Sequence, residues 1–288
     1  MNDQSKGWWL GFGGVAIFAL TLPFTRIAVQ ELNLLFVPLG RTVAAAALAL
    51  PLLLITRQPV PTFSDLRLLS FVIAGVIFGF PIMSSIAMQT VPAAHGGVVL
   101  GALPLATAVM ATIFAGERPS PKFWAWSVAG SAAVITFALW DGGGQIMLGD
   151  CWLAGAVVTA AMGYAAGGQL SKKLGGWQVI AWALVFALPL TLPLAWYFGQ
   201  AITLHESAIT WVAFGYLSLF SQFIGFVFWN KGLSLGGIAK VGQVQLLQTF
   251  MTIVASAFIL SEVITLRTIG FALVVAACVW FARKAATK

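Results

Sequence analysis

The sequence predicts an all-α integral membrane protein, with ten transmembrane helices arranged as two inverted five-helix repeats, residues 1–145 and 146–288. Three observations lead there. Of 288 residues, 60% are hydrophobic and only 8% are charged, whereas a soluble domain carries about 25% charged residues. So little polar surface cannot cover a globule of this size, and the solvent for most of it is lipid. Apolar runs long enough to cross roughly 30 Å of hydrocarbon recur along the whole chain. Finally, an apolar run that ends in an acid returns about half a chain later.

The runs lie at about residues 8–29, 34–55, 67–88, 92–115, 121–140, 149–170, 177–198, 208–230, 237–260 and 264–283. Backbone groups cannot stay unpaired in lipid, so runs of this length are expected as helices rather than strands. The opening MNDQSKGWWLGFGG has no small-residue cleavage site after its apolar stretch and reads as a first span. Ser120 and Pro121 form an expected cap and first turn for the fifth span. Connections are short, which makes neighbouring helices antiparallel and leaves no room for a soluble domain.

Lys and Arg orient the spans. One side collects Lys6, Arg57, Arg67, Arg118, Lys122, Lys172, Lys173, Lys231, Lys240, Arg283, Lys284 and Lys288, and the other only Arg26, Arg41 and Arg267. This bias predicts cytoplasmic termini. The net charge of +7 does not imply nucleic acid, because the basic residues are scattered and form no stripe. Cys151 and Cys278 belong to no metal or disulfide pattern and read as small apolar residues.

The repeated motif is FAGERPSP, with Glu117, and LSEVITLR, with Glu262. Lys122 stands five residues after the first acid and Arg267 five after the second; at the same offset of 145, Thr107 meets Thr252 and Val109 meets Val254. A five-span unit is odd, so its second copy enters the membrane from the opposite side. Inverted repeats of this kind are a recurring plan of secondary transporters. The expected role of Glu117 and Glu262 is to fix each hairpin turn, with Lys122 or Arg267 as partners, and to help lock a gate on each side.

These acid-ended fourth and ninth spans, with LGRTVAAAALALPLLL and FIGFVFWNKGLSLGGIAKVG, resemble the drug/metabolite transporter superfamily in its EamA-type branch, and within it the YddG-type exporters of aromatic amino acids. The resemblance covers essentially the whole chain. It departs at Arg118, which has Val263 as its counterpart. It implies a cavity between the repeats lined by spans one, three, four, six, eight and nine.

Within those spans, Gln245, Gln248, Thr249 and Thr252 share one helical face, and intramembrane amides either bind substrate or cross-link helices. Span four contributes Leu100 and Pro104, whose missing N–H frees a carbonyl. Tyr164, Trp229 and Phe80 are candidates for ring stacking, and Ser84 for hydrogen bonding. His95 reads either as a proton carrier or as an interfacial helix cap. Gly163, Gly167 and Gly168 read as packing contacts, and Trp8, Trp9, Trp124, Trp126 and Trp280 as an interfacial belt.

No Asp or Glu falls near the middle of a span, which argues against a carboxylate relay and for a neutral or zwitterionic substrate. No HExxH, GxSxG or carboxylate cluster suggests an enzyme. Together with what the resemblance implies, the expectation is an inner-membrane exporter of aromatic and other neutral amino acids and related metabolites, or alternatively of other small metabolites or drugs, without cofactor or metal. Its partners would be that small molecule and the bilayer, with a monomer sufficient for transport.

Overall fold

The computed structural model describes residues 3–116, 118, 120–141, 146–203 and 205–286, except the side chains at 127, 138, 141, 279, 283 and 286. Glu117 and the 142–145 boundary therefore lie outside the described residues. The described chain is helical throughout, with short turns between segments. In order these are α1 (Asp3–Glu31), α2 (Phe36–Ile55), α3 (Phe63–Thr90), α4 (Ala93–Ala115), α5 (Pro121–Asp141), α6 (Leu148–Leu174), α7 (Gly176–Gly199), α8 (Ala208–Gly236), α9 (Ile238–Leu260) and α10 (Leu266–Ala286). Eight of them, all but α5 and α10, are long and apolar enough to cross a membrane. Large apolar side chains such as Leu54, Ile55, Phe63, Trp196 and Phe258 face outward. That surface belongs in lipid, because water would leave it as one apolar patch.

Packing repeats itself when each helix is exchanged for the one five places on. Helix α1 packs on α8 as α6 packs on α3, and α9 packs on α1 as α4 packs on α6. The pairs α2–α7 and α5–α10 map onto themselves. Local distortions follow the same rule. A π-helical turn widens α3 at Ile73–Gly79 and another widens α8 at Leu217–Ile224. Helices α4 and α9 both end in a left-handed residue, Gly116 and Ser261, a common way to satisfy the last carbonyls.

Small residues set the closest approaches. A Cβ on Gly75 would stand 2.4 Å from Thr159 O, and one on Gly163 2.6 Å from Val76 Cγ1. Helices α3 and α6 therefore touch nearly backbone to backbone, as membrane helices do where small residues meet.

The turns that carry most basic residues lie on one face of the bundle, together with both described ends. Lys240 at the start of α9 donates to Gln4, Ser120 donates to Ala285 O, and Gln178 donates to Gln58. Arg41 does not belong to the opposite face, where the charge tally put it. It lies one turn inside α2 with 2% exposure, which leaves Arg26 and Arg267 as the basic residues there.

Candidate functional site

Proline placement explains the first feature of the centre. Helix α1 breaks at Leu20, and Pro23 lacks the N–H that would bond Ala19 O. Thr252 Oγ1 of α9 donates to that carbonyl at 2.9 Å. Pro81 does the same in α3. Phe80 N reaches back five residues to Gly75 O in the π turn, and the next donor in that ladder would be Pro81. The orphaned Val76 O is taken by Gln222 Nε2 of α8 at 3.3 Å. Breaks in one half are thus satisfied by polar side chains of the other. Replacing Thr252 by valine strands Ala19 O, so a loss of about 1–2 kcal/mol is expected. Unfolding midpoints of the two proteins in detergent measure it.

Between these breaks lies an enclosed cavity lined by Phe18, Thr21, Arg41, Val76, Phe80, Tyr164, Ser221, Phe226 and Gln248. Both halves contribute. Its polar end is a short chain in which Arg41 Nη2 donates to Ser221 Oγ at 3.3 Å and Ser221 lies 2.8 Å from Thr21 Oγ1. Its apolar end is aromatic: Phe18 lies 4.9 Å from Phe226 and 6.3 Å from Tyr164, centroid to centroid. Trp229 backs this wall at 5.4 Å from Tyr164, fully buried, its Nε1 without a partner. In this conformation the cavity has room for about one water molecule. A larger open groove between α2, α7 and α8 is lined almost wholly by apolar side chains and faces outward. It offers nothing to orient a polar solute.

The polar face of α9 divides. Gln248 lines the cavity and its Oε1 has no partner. Gln245 accepts from Thr107 at 3.3 Å, Thr252 bonds Ala19 O, and Thr249 Oγ1 lies 3.3 Å from where a Cβ on Gly101 would stand. Gln245 and Thr252 therefore tie helices together, whereas Thr249 Oγ1 is buried without a partner, as Gln248 Oε1 is. Tyr164 and Phe80 do line the cavity. Ser84 is buried but donates to Pro81 O of its own helix. Leu100 opens a short 3-10 turn, Leu100–Ala102, ahead of Pro104, and its carbonyl is taken by Leu103 N. No free carbonyl is left at that point.

His95 is not exposed at an interface. It lies in the first turn of α4, 3% exposed, with Nε2 at 2.6 Å from Asp150 Oδ1. Asp150 is itself buried in the first turn of α6, where its other oxygen accepts from Met147 N at 3.0 Å. Beside this pair, Glu262 accepts from Ala93 N at 2.9 Å and Ala94 N at 2.8 Å. Arg26 Nε stands 3.6 Å from the same carboxylate, and its Nη1 donates to Met88 O and Val91 O. Glu262 thus caps α4 across the bundle rather than pairing with Arg267, which lies over the Trp140 ring at 5.5 Å. Lys122 is exposed at the start of α5.

Comparison with known proteins places this geometry. The model of the EamA-like transporter family matches twice, over residues 5–139 and 147–283. The "Uncharacterized transporter YdeK" of Bacillus subtilis is 46% identical over 284 residues, 99% of both chains. A "Probable terminal-alkyne amino-acid exporter" of Streptantibioticus cattleyicolor is 27% identical over 250 residues, 82% of this chain and 79% of that protein. A solved crystal structure superposes with a TM-score of 0.70 at 17% identity, over 98% of both chains. That last likeness concerns the fold alone. With both halves matched by one family model and a relative so similar across nearly its whole length, the chain belongs to the EamA-like transporter family.

Proposed function

We propose that this transporter exports amino acids, aromatic and other neutral ones, together with related metabolites, by alternating access through the cavity between its halves. Residues 1–145 and 146–288 act as inverted five-span repeats. Ten spans then place both termini in the cytoplasm of a bacterial inner membrane, and one chain suffices for transport. The observation that carries this reading is the cavity itself. Thr21, Arg41 and Phe80 come from one half, and Tyr164, Ser221 and Gln248 from the other. A site shared by two interchangeable halves can face either side as they rock. The paired π turns, the paired left-handed helix ends and the twice-matched family model support the duplication. The exporter name of the distant relative supports the substrate class.

The acid-ended helices fit gates. Glu262 joins α9 to the start of α4 on one face. At the offset of 145 those first residues of α4 correspond to Ile238 and Ala239 of α9.

Purified protein in liposomes tests the proposal. Labelled phenylalanine and threonine are expected to equilibrate faster than in protein-free vesicles, and an imposed pH gradient reports any coupling to protons. Absence of flux for every member of a broad amino-acid panel would overturn the exporter reading.

A further inference from the structure

Arg41 has an electrostatic problem that the described residues do not solve. Its guanidinium carries five N–H donors and stays charged. In the described contacts one of these reaches Ser221 Oγ, a neutral acceptor, at 3.3 Å. Nε has no partner. Among the described residues no carboxylate lies within ion-pair distance of it. Glu31 accepts from Ser207 N, Asp65 from Lys173, Asp150 lies against His95, Glu206 accepts from Thr203 N, and Glu262 caps α4. An unpaired cation in a membrane interior costs several kcal/mol. Ordinary packing does not retain such a group.

The surroundings state what is missing. Beside Arg41 the cavity offers Gln248 Oε1, a free acceptor, and beyond both stands the aromatic wall of Phe18, Tyr164 and Phe226. A planar guanidinium fork matches a carboxylate. A second acceptor in the same cavity suits the N–H of an α-amine, and the wall suits an apolar side chain. No described anion is placed to pair an ammonium, so an amine alone has no reason to bind.

We propose that Arg41 binds the substrate's carboxylate, so that the site takes small organic acids with an apolar body, amino acids among them, and rejects the matching amines and amides. This rests on the cavity being the transport site. It goes beyond the exporter reading by naming the group on the substrate that is required. Because the cavity is narrow here, binding accompanies a separation of the helices around it.

The test uses the purified full chain in detergent, with L-phenylalanine, 3-phenylpropanoate, phenethylamine and phenylalanine amide as probes and quenching of tryptophan fluorescence as the readout. The two carboxylates are expected to bind, and the amine and amide to bind at least about tenfold more weakly. Arg41→Gln is expected to weaken carboxylate binding by roughly a hundredfold, and Arg41→Lys to recover part of it. The ligand-free melting point of Arg41→Gln is expected to hold or rise, since an uncompensated buried charge has been removed. Phenethylamine binding as tightly as 3-phenylpropanoate would overturn the proposal, as would binding of neither carboxylate to the wild-type protein. A lower melting point of Arg41→Gln with unchanged carboxylate affinity would make Arg41 a structural tie instead. The wild-type comparison decides even where the variant fails to fold. If 3-phenylpropanoate binds through Arg41 while no amino acid crosses the liposome membrane, amino-acid export fails and the carboxylate site stands.

Discussion

Replacing Asp150 by alanine is expected to destabilise the protein by about 2–4 kcal/mol, the scale for removing a buried hydrogen-bond partner together with a helix cap. The side chain holds two groups at once: His95 Nε2 at 2.6 Å and Met147 N at 3.0 Å. Both residues of the pair are nearly sealed, with side chains 2% and 6% exposed. The carboxylate also stands in the first turn of α6, where free N–H groups favour an anion. Its removal takes this bond from a buried imidazole, uncaps the helix and loosens α4 from α6 together. A contrast on the same protein sets the scale. Asp65 pairs with Lys173 at 2.7 Å, but that lysine is 57% exposed, and a solvated pair of this kind contributes about 0.2–1 kcal/mol. A double-mutant cycle with His95→Leu measures the coupling from unfolding midpoints at fixed detergent. The double variant should recover about 1–3 kcal/mol relative to the sum of the singles. Strict additivity would mean that the two side chains act independently, contrary to their geometry.

How much of this was legible depends on whether the cause was local. Helix positions followed from apolar run length, because lipid admits only helices for an open chain, and α2, α4 and α9 begin and end within a few residues of their expected bounds. The half-chain echo was visible because a cap and its turn are local features. Arg41 was misplaced because a charge near the start of an apolar run looks the same whether it faces the headgroups or the core. A signal was present all the same. Arg41, Ala45, Ala49 and Leu53 share one stripe at helical spacing, and all are buried. A charge that heads a stripe of buried small residues points inward. The partners of His95 and Glu262 left no such trace, being 55 and about 169 residues away. Tertiary packing alone brings them together. The break at Pro23 was readable from proline chemistry, yet its acceptor, Thr252, was not.

Substituting Glu262 by alanine is expected to open the seam between α4 and α9 on its face. The carboxylate accepts two backbone N–H bonds from the start of α4, and Arg26 closes on it from α1 while holding two carbonyls at the end of α3. Four helices therefore meet through one side chain. Charge-assisted bonds of this kind contribute about 1.5–3 kcal/mol each where water is excluded. Glu262 is 14% exposed, so a loss of about 2 kcal/mol for the set is a conservative figure, and it moves a two-state balance roughly thirtyfold. On the proposed alternating-access reading, a conformation with this face open is expected to become a readily observed population. Glu262→Gln keeps one acceptor oxygen but loses the charge that attracts Arg26, so its shift should fall between the two. Spin labels at Gln89→Cys, in the last turn of α3 beside the carbonyls that Arg26 holds, and at Val263→Cys, next to Glu262, both exposed, report the change after Cys151 and Cys278 are replaced by serine. A second, longer distance is expected in the alanine variant. If wild type and variant give the same distance distribution, Glu262 merely caps a helix and its proposed gating role falls. The same measurement separates Glu262 from its neighbour. Asp150→Ala should lower the melting point far more than it lengthens this distance, because His95 and Asp150 join α4 to α6, whereas Glu262 joins α4 to α9.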